Sequence, residues 1–292
     1  MQPSNPTRRP WAYASHRAAP ALILSLLPLS VSAALTTYEP FNYSTGSLTG
    51  QNGGVGFASG WTATTGTSTV AASSLTYTTV PSLGNRATTA AATATTQTRS
   101  LTSALGNGTY YVSFLLRPDN TAAGNNAEFA LIGSTANLYV GKPTSGSNYV
   151  LDTSASAGGT QNATSVAYAS GTTVLMVIKA TLSAGGDSFL LYINPSVSAE
   201  PGSSDATKTG YDIGNITSLQ FTGNLGFSID ELKIGSAYAD AVPEAGTWGS
   251  VFAVLGIGCV AWLRHRDATR KTQSVALAAP AVPQPPVPKS VS

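Results

Sequence analysis

Thr173-Val174-Leu175-Met176-Val177-Ile178-Lys179-Ala180-Thr181-Leu182-Ser183-Ala184-Gly185-Gly186-Asp187-Ser188-Phe189-Leu190-Leu191-Tyr192-Ile193-Asn194 is the stretch that decides the fold. Two apolar runs, rich in β-branched and aromatic residues, flank a Ser-Ala-Gly-Gly turn, which is the signature of an antiparallel hairpin. Side chains alternate across a strand, so Val174, Met176 and Ile178 share one face of the first run, as Phe189, Leu191 and Ile193 do on the second. Thr109 to Arg117 repeats the pattern, with Tyr110, Val112, Phe114 and Leu116 opposed to Tyr111, Ser113 and Leu115. Further strands are expected at Thr96–Leu101, Ala127–Ile132, Asn137–Gly141, Asn148–Asp152, Ile216–Phe221 and Gly226–Ile234. No helical periodicity is evident between the two termini. So many short strands within about 200 residues favour an all-β domain of two packed antiparallel sheets, a β-sandwich, because packing buries one face of each sheet and limits exposed edges. The Thr-rich stretches Thr62–Thr79 and Ala87–Thr98 fit either a secreted sheet surface or a mucin-like disordered stalk.

The ends of the chain have a different character. Arg8, Arg9 and Arg17 precede an apolar stretch from Ala21 to Val31, followed by the small residues Ser32, Ala33 and Ala34. This is the order of a secretory leader, expected to form a helix over residues 1–34 and to be cut near Ala33 or Ala34 by signal peptidase. At the other end, Trp248 to Leu263 is a 16-residue apolar run followed by Arg264-His265-Arg266. As a helix it would measure about 24 Å, marginal for a hydrocarbon core of about 30 Å. Its basic flank predicts that residues before Pro243 lie outside the cell. Residues 267–292 are Pro-rich and are expected to be disordered.

Charge and residue usage then exclude several functions. Between Ala34 and Ala241 there are seven lysines and arginines against eleven carboxylates, a formal charge of −4, and the remaining basic residues lie in the two ends. Without clustered cations to displace phosphate counterions, nucleic acid is not an expected partner. The single cysteine, Cys259, lies in the apolar run, and the two histidines, His16 and His265, lie outside the middle segment. That segment therefore has no disulfide, Ser-His-Asp triad, thiolate nucleophile or His/Cys metal site. Carboxylates, hydroxyls and amides remain, which suit hydrogen bonding to sugars, calcium ligation or paired-carboxylate glycoside hydrolysis.

Two resemblances follow from these residues. Val242-Pro243-Glu244-Ala245, the apolar run and Arg264 with Arg266 resemble the PEP-CTERM sorting signal of bacterial exosortase substrates. Ala245 stands where that motif has its second proline, and the chain continues for 26 residues past Arg266. The resemblance implies a sorting segment over 242–266, recognised through Val242, Pro243, Glu244, Arg264 and Arg266 by an exosortase-like membrane protease. It also implies transient membrane anchoring, then delivery to the cell surface or extracellular matrix. Residues 35–241 resemble concanavalin A-like, laminin-G-like jelly rolls. The matching pieces are Tyr38-Glu39-Pro40-Phe41-Asn42-Tyr43, Gly53-Gly54-Val55-Gly56-Phe57, Gly60-Trp61, Tyr111-Val112-Ser113-Phe114-Leu115-Leu116-Arg117, Tyr139-Val140-Gly141-Lys142, Leu191-Tyr192-Ile193-Asn194-Pro195 and Ile229-Asp230-Glu231-Leu232-Lys233-Ile234-Gly235. That family implies a two-sheet jelly roll. It includes lectins, hydrolases and structural modules, so fold alone does not assign function.

An enzyme of the glycosidase kind needs two carboxylates facing one substrate. Asp230 and Glu231 are adjacent and would face opposite sides of a regular strand, Glu128 and Asp152 stand isolated in sequence, and Asp187 flanks a turn. The expectation is a non-catalytic protein without cofactor, with calcium the one metal its oxygen ligands leave open and with Asp230 satisfying backbone donors. Trp61 and Tyr139 are the candidate carbohydrate contacts, since aromatic faces stack on sugar rings; for Trp61 a core role competes. The expected function is adhesion or matrix assembly, with polysaccharide as the candidate ligand. A glycan-active enzyme and a ligand-free structural matrix protein are the alternatives.

Overall fold

The computed structural model describes residues 35–242 apart from 78, 79, 81, 83 and 156–158. The strands are β1 (Leu35–Glu39), β2 (Gly46–Ser47), β3 (Thr62–Thr65), β4 (Ser68–Ala71), β5 (Arg86–Thr89), β6 (Thr95–Leu105), β7 (Gly108–Pro118) and β8 (Ala127–Gly133). They continue with β9 (Asn137–Lys142), β10 (Asn148–Asp152), β11 (Asn162–Ala167), β12 (Val174–Leu182), β13 (Ser188–Ile193), β14 (Ala206–Thr209), β15 (Ile216–Gly223) and β16 (Phe227–Gly235). One short helix, α1 (Tyr238–Ala241), follows. A nine-stranded sheet has the order β14-β13-β12-β7-β16-β5-β4-β2, with β1 also paired to β16, and a seven-stranded sheet has the order β11-β10-β9-β8-β15-β6-β3. The pairings are antiparallel, and the expected two-sheet β-sandwich is what forms.

The hairpin that opened the sequence reading is β12–β13, with Met176 opposite Ile193, Ile178 opposite Leu191 and Ala180 opposite Phe189. Its alternating residues point into the core with Val112, Phe114 and Leu116 of β7, and meet Phe129, Leu131, Leu138 and Val140 from the seven-stranded sheet. Phe114 and Phe129 touch across the sandwich at 4.4 Å between ring centroids. The Thr-rich stretches are strands, not a stalk: β3, β4, β5 and the start of β6 lie in them. The threonines of β3 are exposed, whereas in β5 and β6 buried and half-buried positions alternate and Thr89 and Thr95 turn inward. Short β-branched side chains suit this half-buried surface even without large apolar groups.

The core also holds an ion pair that joins the two sheets. Glu39 of β1 and Arg99 of β6 are both fully buried and bonded to each other. The Glu39 carboxylate also accepts from the Phe41 amide at 2.7 Å, the Tyr43 hydroxyl at 2.6 Å and the Trp61 indole Nε1 at 3.1 Å. Arg99 donates to the carbonyls of Ser59 and Gly53 and to Asn52 Oδ1 at 2.6–3.0 Å, and its guanidinium lies 4.0 Å from the Phe57 ring centroid. Every polar group of the pair thereby finds partners, which a buried charge requires. The network pins the irregular segment between β2 and β3 against the sandwich.

The nine-stranded sheet is apolar on both faces, whereas one buried face per sheet was expected. Tyr111, Leu115, Leu175, Val177 and Tyr192 on its outer face form a second apolar cluster with Leu75, Val80, Tyr238, Ala241 and Val242. Helix α1 closes this cluster: Ser113 Oγ donates to the Ala241 carbonyl at 2.5 Å, the Tyr238 hydroxyl to the Ser196 carbonyl at 2.5 Å, and the Val242 amide to the Tyr238 carbonyl at 2.9 Å. Val242, read from sequence as the first residue of the sorting segment, is 1 % exposed and belongs to the packing of the domain. The expected leader helix, the apolar run, the Pro-rich tail and the motif residues Pro243, Glu244, Arg264 and Arg266 lie outside the described residues. Among the described residues no helix is long and apolar enough to cross a membrane.

Candidate functional site

The outer face of the seven-stranded sheet is polar where its counterpart is apolar. Directly paired residues of antiparallel strands share a face. Thr96, Thr222, Glu128, Gly141 and Val150 thus form one row across β6, β15, β8, β9 and β10. Thr98, Gln220, Ala130, Tyr139 and Asp152 form the next. The face is outermost because the alternate residues Ala127, Phe129, Leu131, Leu138, Val140 and Leu151 fill the core. Thr96, Thr98, Gln220, Thr222 and Tyr139 are half-buried. Cross-strand hydrogen bonds order them: Thr96 and Thr222 hydroxyls meet at 2.9 Å, and Gln220 Nε2 donates to Thr98 Oγ1 at 2.9 Å.

Two carboxylates and two tyrosines sit at the β8–β10 end of this face. Glu128 is 1 % exposed and accepts from Asn126 Nδ2 at 2.7 Å. The same amide donates to the Ala155 carbonyl at 2.7 Å, so the chain following β10 is tied beside Glu128. Burial pushes the Glu128 carboxyl up to about 8, and the nearby Asp152 charge adds to the effect, so Glu128 is predominantly protonated at neutral pH. Asp152 Oδ1 accepts from the amides of Thr153 and Ser154 at 2.6 and 3.2 Å. Strand β9 lies between the two acids, which places their strands about 10 Å apart. Gly141 occupies the intervening row at φ +147°, and a Cβ there would meet the Ala127 carbonyl oxygen at 2.3 Å, so the position admits only glycine. Tyr139 stands next to Asp152, with its hydroxyl 3.3 Å from Asn137 Nδ2. Tyr211 reaches in from the connection between β14 and β15, donating to the Asn137 carbonyl at 3.0 Å. Burial, then the neighbouring Tyr139 and Asp152, raise its pKa.

The residues singled out from sequence are thereby separated. Tyr139 lies on this face. Trp61 does not: it is 1 % exposed in the core, stacked on Phe41 at 5.6 Å and tilted against Phe221 at 5.2 Å, so its ring offers no face to a sugar. Of the other strand tyrosines, Tyr149 is buried in the core and Tyr192 in the apolar cluster on the outer face of the nine-stranded sheet. Asp230 accepts from the amides of Leu75 and Glu231 at 2.8 and 2.9 Å, which is the backbone role expected of it. Glu231, at φ 51°, sits where the β16 register shifts and bonds to the Tyr38 hydroxyl and Lys233. Sequence reading left Glu128 and Asp152 isolated, and the β8-β9-β10 order brings them into electrostatic contact. Tyr211 carried no strand signal of its own and was missed. Among the described residues no group of three or more His, Cys, Asp or Glu side chains could hold a metal ion. What remains is a surface of hydroxyls, amides and tyrosine rings, with the Glu128 and Asp152 carboxyls both buried at its end, 1 % exposed each; hydroxyls, amides and rings are the chemistry that hydrogen-bonds and stacks on sugars.

No protein-family model matches the sequence. No curated protein matches it either. Among solved structures, domain 4 of AbnA, an extracellular GH43 arabinanase from Geobacillus stearothermophilus, in complex with arabinotriose, is similar at 17 % identity, with 72 % of this chain and 98 % of that chain covered and a TM-score of 0.46. The carbohydrate-binding module CBM66 from Bacillus subtilis is similar at 6 % identity, 60 % and 95 % coverage and a TM-score of 0.38. A legume lectin-like domain from Entamoeba histolytica is similar at 9 % identity, 57 % and 88 % coverage and a TM-score of 0.37.

Proposed function

We propose that this chain is a non-catalytic, exported β-sandwich protein that binds polysaccharide on the outer face of its seven-stranded sheet. The observation that carries the reading is the asymmetry of the two outer faces. One is apolar and sealed by α1 and the adjoining loops, and the other carries half-buried Thr96, Thr98, Gln220, Thr222 and Tyr139 in two rows. A row of cross-strand hydroxyl and amide groups suits an extended chain of sugars, and Tyr139 and Tyr211 at its end supply rings for stacking. The non-catalytic part is supported by the burial of Glu128 beneath Asn126 and the chain at Ala155, which leaves its proton out of reach of a glycosidic oxygen. Export rests on the order of basic, apolar and small residues over 1–34. Sorting to the cell surface or matrix, through an exosortase-like protease after membrane insertion, rests on Pro243, Glu244, the apolar run and the arginines beyond it. Intact mass of the mature protein tests both ends at once.

Affinity electrophoresis through gels cast with xylan, arabinan, mixed-linkage glucan or alginate tests the binding. The wild type is expected to be retarded in at least one gel, and Tyr139→Ala to lose about tenfold in affinity, the worth of one stacking contact. Wild-type mobility unchanged in every gel would favour a purely structural matrix protein. A second reading is kept open by the electrostatic contact of Glu128 and Asp152, since a carboxyl held protonated near a second carboxyl is an arrangement that glycoside hydrolysis uses. Release of reducing ends from the retained polysaccharide, abolished in Glu128→Gln, would establish that reading over the non-catalytic one.

A further inference from the structure

Lys142 is 0 % exposed, and among the described residues it forms no ion pair. A lysine is almost never fully buried without a carboxylate partner, because the ammonium loses its hydration. Here its three donors are met by backbone carbonyls, Asn125 at 2.5 Å, Pro143 at 3.1 Å and Ala122 at 3.4 Å, while the Glu128 carboxyl lies near enough to act on it electrostatically without an ion pair. The Tyr168 ring centroid lies 4.6 Å away. Two of those carbonyls belong to the connection between β7 and β8, and the Gly124 amide bonds to the Thr144 carbonyl at 3.0 Å beside the third. A cation held by carbonyl oxygens can order a connecting loop, as a calcium ion does with its larger set of oxygen ligands.

The caged loop leads straight to the polar face. The residue after Asn125 is Asn126, whose backbone carbonyl accepts from the amides of Asn224 and Leu225 and whose backbone amide donates to Asn224 Oδ1 at 2.8 Å. Its side chain bonds both Glu128 and the Ala155 carbonyl, and Ala155 follows directly on the Thr153 and Ser154 amides that hold Asp152. We propose that the Lys142 ammonium is a built-in cation that orders the 119–126 loop in place of a metal ion, and that through Asn126 it is the positioning residue for the Glu128 and Asp152 end of the polar face. The use of that face for polysaccharide rests on the function proposed above, whereas the ordering of the loop does not.

Hydrogen exchange read by mass spectrometry on the full chain, with no saccharide present, tests the ordering separately from ligand binding. In the wild type, peptides covering 119–126 and 150–156 are expected to exchange equally with EDTA or with millimolar calcium chloride. In Lys142→Met both peptides are expected to exchange about tenfold faster while the β12–β13 hairpin keeps its protection. In Lys142→Ala, added propylammonium is expected to restore the slow exchange, a rescue that a loss of packing alone would not give. Protection of 119–126 that depends on calcium in the wild type overturns the proposal, and this arm needs no variant to fold. Unchanged exchange in a folded Lys142→Met, or an absence of rescue by propylammonium in a folded Lys142→Ala, overturns it as well.

Discussion

Glu128→Gln isolates the electrostatics of the polar face. In the folded chain burial and then the Asp152 charge push the Glu128 carboxyl from 4.5 up to about 8. Between those values the folded state holds a proton that the unfolded state has released, so stability falls as pH rises, and the contribution is complete below the unfolded value and lost through the folded one. The slope is about 1.4 kcal/mol per pH unit for one group, and so up to about 4 kcal/mol over roughly three units. Burial likewise raises Asp230 to about 8, which adds a similar slope to the wild type and to the variant. A glutamine reproduces the protonated acid, keeping an acceptor for Asn126 Nδ2 and a donor of its own. Urea unfolding followed by circular dichroism at several pH values should give matching midpoints near pH 5 and a variant more stable than the wild type by several kcal/mol near pH 8. A difference that is constant across that range, or of opposite sign, would refute the assignment of a protonated Glu128.

Two further predictions concern the packing that frames this face. Arg99→Met should destabilise the domain by about 3–5 kcal/mol, because it leaves the Glu39 carboxylate buried without its cation, and adding Glu39→Gln should recover much of the loss; a single variant as stable as the wild type in urea would contradict the inter-sheet role of the pair. Val242→Asp should cost about 2–4 kcal/mol and increase dye binding to apolar surface, since it places a charge in the cluster beneath α1; an unchanged melting temperature would show that α1 is not part of the fold.

The central strands were legible because their side chains alternate strongly. The expected Asn148–Asp152 is β10 to the residue, and Ala127–Ile132, Asn137–Gly141 and Ile216–Phe221 differ from β8, β9 and β15 by one or two residues at an end. The strands β1, β2, β3, β4, β5, β11 and β14 were not individually foreseen. They are short and rich in Thr, Ser and Ala, and their inward positions carry residues such as Ser68, Thr89 and Ala206 whose burial comes from neighbouring strands and not from their own hydrophobicity. Helix α1 is a single turn, too short to show a period.

The sequence by itself determined the chemical repertoire, the separation of an acidic middle from basic ends, and the period-two pattern that makes the middle a sandwich, since each follows from residue type and local spacing. It did not determine neighbours. That Glu39 meets Arg99, that Trp61 is spent on the core, and that Glu128, Tyr139, Asp152 and Tyr211 come to one end of one face depend on the order and register of strands far apart in the chain. Strand order is fixed by which apolar faces close the core together, a property of the whole chain that no single segment carries.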